Sequence, residues 1–186
     1  MIGYAFCGSF CTLEKSLSVL ELLVRSGREV LPIMSERTYE TTTRFFDKEE
    51  LRRRVEEITG NSIIHTVKDA EPLGPQRPLE GLIISPCTGN TLAKLAAGIT
   101  DTAVTMAAKA HLRCDRTLLI ALASNDAMSQ NLGNISKLLL RKSVYFVPLS
   151  QDAPTSKPHS LVADFSRIPE AYDAAQRGEQ LRPLFC

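Results

Sequence analysis

The sequence has little that would mark an obvious class. It has no excess of charge: 22 Lys plus Arg stand against 21 Asp plus Glu, a formal net charge of +1. A chain that tracks phosphates normally carries a basic excess, so nucleic acid is not an expected partner. No apolar run approaches the ~18 residues that a membrane helix requires. The first ten residues, MIGYAFCGSF, lack the basic and long apolar regions of a secretory signal. The five cysteines, at positions 7, 11, 87, 114 and 186, form no CxxC and no Cys/His group with zinc spacing. They read as reduced and mostly buried thiols, and no metal site is expected. There is no GxGxxG and no Walker A loop, so direct dinucleotide or ATP binding by those motifs has no support.

What remains is 186 residues of ordinary composition, 44% hydrophobic and 23% charged, enough for one cytosolic domain over 1–186. Short apolar runs at 2–7, 29–34, 62–67, 81–85, 117–123 and 144–148 predict strands, with Pro32 weakening the second and Pro86 ending the fourth. Between them, periodic segments predict helices: one from Thr12 to Gly27, a charged one over 47–58, one or two over 91–112 with a break near Gly98, and one over 127–140. Residues 36–46 fit no template. The stretch 71–80, with three prolines and a glycine, is a loop. A polar loop over 150–160 and a short helix over 169–178 end the chain, a lid or contact segment over 150–186. Alternating strands and helices predict an α/β fold, a Rossmann-like (flavodoxin-like) parallel sheet with helices on both faces. Ligands of such sheets bind beyond the carboxyl ends of the strands.

Three of those ends carry small polar residues. Gly8 and Ser9 follow the first strand, where backbone N–H groups at a helix start suit an anion. Ser35 follows the second, as a ligand or as a helix cap. Ser85-Pro86-Cys87-Thr88-Gly89-Asn90-Thr91 follows the fourth, as a polar cradle or an elaborate cap. His65, His111 and His159 share no ligand spacing, and each reads as a surface or satisfied histidine.

The string PCTGNTLAKLAAGITD resembles the P-x-[AST]-x-N-T segment of the flavoprotein family that includes phosphopantothenoylcysteine decarboxylase and the peptide-cysteine decarboxylases. That resemblance implies an FMN site. The phosphate would lie near Gly8, Ser9 and Ser35, and the isoalloxazine near Pro86, Thr88, Gly89, Asn90 and Thr91, with Ser124 and Asn125 beside it. The site would form at a subunit contact in a homo-oligomer, a trimer or an assembly of trimers. The segments TGNTLAKLA, TDTAVTMAAKA, SNDAM, AEPLGP, TTTRF and QDAPTSKPHSLVA resemble, over nearly the whole chain, the family of dipicolinate synthase B subunits of sporulating bacteria. This narrower resemblance implies a cytoplasmic role in the mother cell. The reaction would be oxidation of a dihydrodipicolinate to dipicolinate, with NAD(P) held by a partner A subunit.

Two departures separate the chain from the cysteine decarboxylases. VKDAEPLGPQRPLEG has no histidine where they carry a catalytic one, and LASNDAM has Leu122 and Ser124 where they carry a proline and the first methionine of PxMNxxM. Asn125 and Met128 stay in register, Met128 also reading as helix core. An FMN-dependent decarboxylase and a non-catalytic assembly subunit are the alternatives. No catalytic residue is assigned. A dicarboxylate substrate calls for a cation, with Arg44 the first choice over Arg77, Lys94, Lys109 and Lys157.

Overall fold

The computed structural model describes all of residues 1–186. Strand β1 (Ile2–Phe6) leads through a single 3-10 turn into helix α1 (Leu13–Arg25), then β2 (Val30–Met34) and the five-residue helix α2 (Glu36–Glu40). Helices α3 (Lys48–Thr59) and α4 (Val67–Ala70) precede β3 (Gly81–Cys87). Helices α5 (Gly89–Ala97) and α6 (Ala103–Leu112) lead to β4 (Thr117–Ser124), and α7 (Leu132–Leu139) to β5 (Val144–Phe146). Short strands β6 (Leu149–Ser150) and β7 (Leu161–Ala163) come before α8 (Ile168–Gln176).

Strands β2, β1, β3, β4 and β5 pair in parallel in that order. β3 is buried at every position, as a strand covered on both faces must be. Helices α1 and α8 pack on each other over one face, and α6 packs on the sheet with α4 and α5 against it. The expected α/β sheet is present. It also carries an antiparallel extension: the last residues of β4 turn from β5 to pair with β7, and β7 pairs with β6. These strands of two and three residues are too short to show a period.

Two local expectations are corrected. Residues 62–67 form no strand, only an isolated bridge from Ile64 to Ile33, because Thr66 caps α4 there by accepting from the Asp69 N–H. Pro86 does not end β3, which runs on to Cys87 through a register shift. Pro32 is tolerated in β2 because β2 is the sheet edge, where a missing N–H breaks no ladder on the outer side. The cysteines are all free, with Cys7 and Cys87 buried but Cys11 and Cys186 exposed.

His111 belongs to the core. Its Nε2 donates to the Thr117 carbonyl at 2.8 Å, while Nδ1 is buried without a partner. A proton on Nδ1 would have no acceptor, and burial pulls the imidazole pKa below its ordinary value. The folded chain therefore binds fewer protons than the unfolded one, so stability falls as pH drops below about 6.5. His111→Gln is expected to flatten that part of the stability curve. Urea unfolding at pH 7.5, 6.5 and 5.5 checks this, and an unchanged slope in the variant contradicts it.

Candidate functional site

In a 2-1-3-4-5 sheet the strand order reverses beside β1, and the crevice lies at the carboxyl ends there. A cavity of about 890 Å³ opens at that place, lined from β1 by Cys7 and Gly8, from the β2 end by Ser35 and Glu36, and from the β3 end by Thr88, Asn90 and Thr91. Its far wall is Arg37, Glu40, Thr41, Lys94, Asp101 and Thr102.

Buried polar bonds fix the floor. The Tyr4 hydroxyl on β1 bonds to the Ser16 hydroxyl of α1 at 3.0 Å, and Ser16 donates to the Ser85 carbonyl at 2.6 Å. This ties β1, α1 and the end of β3 together just before the cis Ser85–Pro86 bond. Burial pushes the Tyr4 phenol up to about 12, so it remains a neutral donor. Above it, Thr91 Oγ1 donates to Cys7 Sγ at 3.3 Å, and Thr88 Oγ1 caps α5 by accepting from the Thr91 N–H at 3.2 Å. Burial raises the Cys7 thiol to about 11, with the Glu36 carboxylate adding to the rise. The thiol is therefore a neutral wall atom and not a nucleophile at neutral pH.

The other wall is α2. Ser35 caps it, accepting from the Thr38 N–H at 3.3 Å. The Tyr39 ring lies against the His65 ring, with centroids 3.7 Å apart and planes 8° from parallel, and the Arg52 guanidinium sits 3.6 Å from the same centroid. Arg52 Nε also donates to the Tyr39 carbonyl at 2.7 Å. This stack pins a helix too short to be stable alone. Glu36 Oε1 accepts from the Ala103 N–H at 2.9 Å, while Oε2 is buried with no partner. Lys94 is committed to Asp101, at 2.8 Å to each oxygen, which lowers the Asp101 pKa.

The structure brings Gly8, Ser35, Thr88, Asn90 and Thr91 into one cavity, with Lys94 of the candidate cations, and leaves Ser9, Pro86, Gly89, Ser124, Asn125, Arg44, Arg77, Lys109 and Lys157 outside its lining. Ser9 is half-buried, its N–H donating to the Cys7 carbonyl at 2.8 Å and its hydroxyl accepting from Thr12 at 3.0 Å. Pro86 supplies a carbonyl to the Cys7 N–H at 3.2 Å. Gly89 packs on a polar cluster behind the cavity, where Asp126 accepts from the Ser124 hydroxyl and, at 3.0 Å to each oxygen, from Asn131 Nδ2. Those bonds lower the Asp126 pKa. Asn125 is exposed beside that cluster. Arg44 is exposed, its guanidinium 4.7 Å from the Phe45 ring. Arg37, which sequence reasoning passed over, lines the cavity and forms no ion pair within the chain. No histidine lines the cavity.

The flavoprotein family model matches residues 1–164. The B subunit of dipicolinate synthase from Bacillus subtilis (strain 168) is 39% identical over 183 residues, 98% of this chain and 92% of that protein. The crystal structure of the corresponding B subunit from Bacillus halodurans C superposes with a TM-score of 0.91 at 38% identity, covering 100% of this chain and 95% of that one. The FMN-dependent cysteine decarboxylase SpaF has a TM-score of 0.68 at 23% identity over 94% and 95% of the two chains, which shows a common fold. Sequence, fold and the polar crevice at the carboxyl ends of the strands agree: the chain belongs to the flavoprotein family, and within it is similar to dipicolinate synthase B subunits.

Proposed function

We propose that the chain is the flavin-fold subunit of a two-subunit dipicolinate synthase, acting with an A subunit in the cytoplasm of a sporulating mother cell. The observation that carries this reading is the cavity formed by Gly8, Ser35, Thr88, Asn90 and Thr91 in a chain similar to the B subunit over 98% of its length. The residues present fit FMN: three hydroxyls, an amide side chain and a glycine turn supply polar partners, and the volume suits a cofactor. Ser35 and the Gly8 turn would hold the phosphate end, and Asn90 with Thr88 and Thr91 the polar edge of the ring. When bound, FMN supplies a hydride acceptor.

The lining holds one apolar residue, Cys7, which is too little to cover the faces of an isoalloxazine. A second copy in a homo-oligomer completes that cover. Phe45, 48% exposed in the loop beyond Thr41, is an apolar side chain available at such a contact.

Aromatisation of a dihydropyridine dicarboxylate takes one hydride and one proton from the ring. The hydride would pass either to FMN on this chain or to a nicotinamide on the A subunit, and the proton to solvent. The chain's own task is to hold the two carboxylates, and Arg37 is the cation placed for it. The absence of a histidine from the cavity disfavours cysteine decarboxylation. The test is reconstitution with the A subunit, with an absorbance spectrum of the complex for flavin and an assay of dipicolinate formation.

A further inference from the structure

We propose that Glu36 is the hydroxyl-reading residue of the cavity, accepting from the ribityl chain or the ribose of a bound cofactor. This rests on the cofactor site above and names the group that selects its ligand. One carboxylate oxygen is anchored on the Ala103 N–H at 2.9 Å, at the start of the ten-residue helix α6, whose dipole favours a negative charge there. That bond fixes where the other oxygen points. Oε2 is buried and accepts from nothing in the chain, a state that leaves its desolvation uncompensated. The cavity cations do not meet it: Lys94 is held by Asp101, and Arg37 makes no ion pair. A carboxylate fixed through one oxygen, with the other unpaired, accepts from a ligand hydroxyl and disfavours a phosphate ester on that same hydroxyl. In doubly wound sheets an acidic residue in this part of the fold reads ribose hydroxyls by the same chemistry.

Glu36→Gln is the informative variant. It keeps an oxygen for Ala103 and replaces the open acceptor with an NH₂ donor. The full-length wild type and variant are titrated calorimetrically with riboflavin, with lumiflavin (the same ring without the polyol), with NAD⁺ and with NADP⁺. The variant is expected to bind riboflavin about tenfold more weakly with lumiflavin unchanged, if the hydroxyls come from a ribityl chain. If they come from a ribose, the wild type prefers NAD⁺ to NADP⁺ and the variant loses about tenfold on NAD⁺ alone. Glu36→Ala must lose at least as much on the same ligand, and it serves if Gln fails to fold. Equal affinities of wild type and variants overturn the role of Glu36 and leave the flavin site standing. Equal losses on riboflavin and lumiflavin also overturn it. A wild type that binds neither flavin nor dinucleotide overturns both readings.

Discussion

Gly89→Ala is expected to lower the melting temperature by roughly 2–12 °C, from an overpacking cost of about 1–3 kcal/mol. A Cβ at Gly89 would stand 2.5 Å from Ser124 Oγ, 2.7 Å from Asn131 Nδ2 and 2.8 Å from Asp126 Oδ1. None of these can retreat cheaply, because all three belong to one hydrogen-bonded cluster behind the start of α5. Relief must come from moving the first turn of α5, which carries Asn90 and Thr91 into the cavity, so flavin affinity falls along with stability. Gly133→Ala in α7 is the control. Nothing lies within 4 Å of its Cβ, and alanine there is expected to stabilise by up to about 1 kcal/mol. Thermal unfolding of both variants by circular dichroism decides the matter. Equal melting temperatures for wild type and Gly89→Ala would show that the cluster yields.

Arg37→Leu is expected to raise KM for the dihydrodipicolinate substrate by about 10- to 100-fold while leaving kcat within a few-fold. A carboxylate is present in both ground and transition states, so losing its cation removes uniform binding. Arg37 is exposed on α2 and makes no contact that the fold requires, so stability should stay within about 0.5 kcal/mol. Arg44→Ala is expected to change neither parameter by more than about twofold, because an exposed cation over Phe45 is screened by solvent. Steady-state kinetics of the reconstituted two-subunit enzyme checks the pair. A large effect at Arg44 with none at Arg37 would reverse the assignment.

Those two arginines show how far the sequence could be read. The parallel sheet was legible because 2–7, 81–85 and 117–123 are apolar runs of strand length separated by helical periods. The cavity lining was legible at Gly8, Ser35, Thr88, Asn90 and Thr91, since small polar residues past buried strands mark the carboxyl ends. Residues 36–46 were not legible, because α2 has five residues and its stability comes from the Arg52–Tyr39–His65 stack, which joins distant parts of the chain. With α2 unplaced, Glu36 and Arg37 had no position, and Arg44 took the cation's role on the strength of a motif. Gly89 shows the converse. Its place in the cradle segment was evident, but its packing partners Ser124, Asp126 and Asn131 come from the next crossover.

The most direct measurement is dipicolinate formation, followed by its ultraviolet absorbance, with the A subunit alone, this chain alone, and the two together with NAD(P)⁺ and FMN. Full activity is expected only from the mixture, with flavin retained on this chain when the complex is gel-filtered. Dipicolinate formed by the A subunit alone at the rate of the mixture would contradict the shared site.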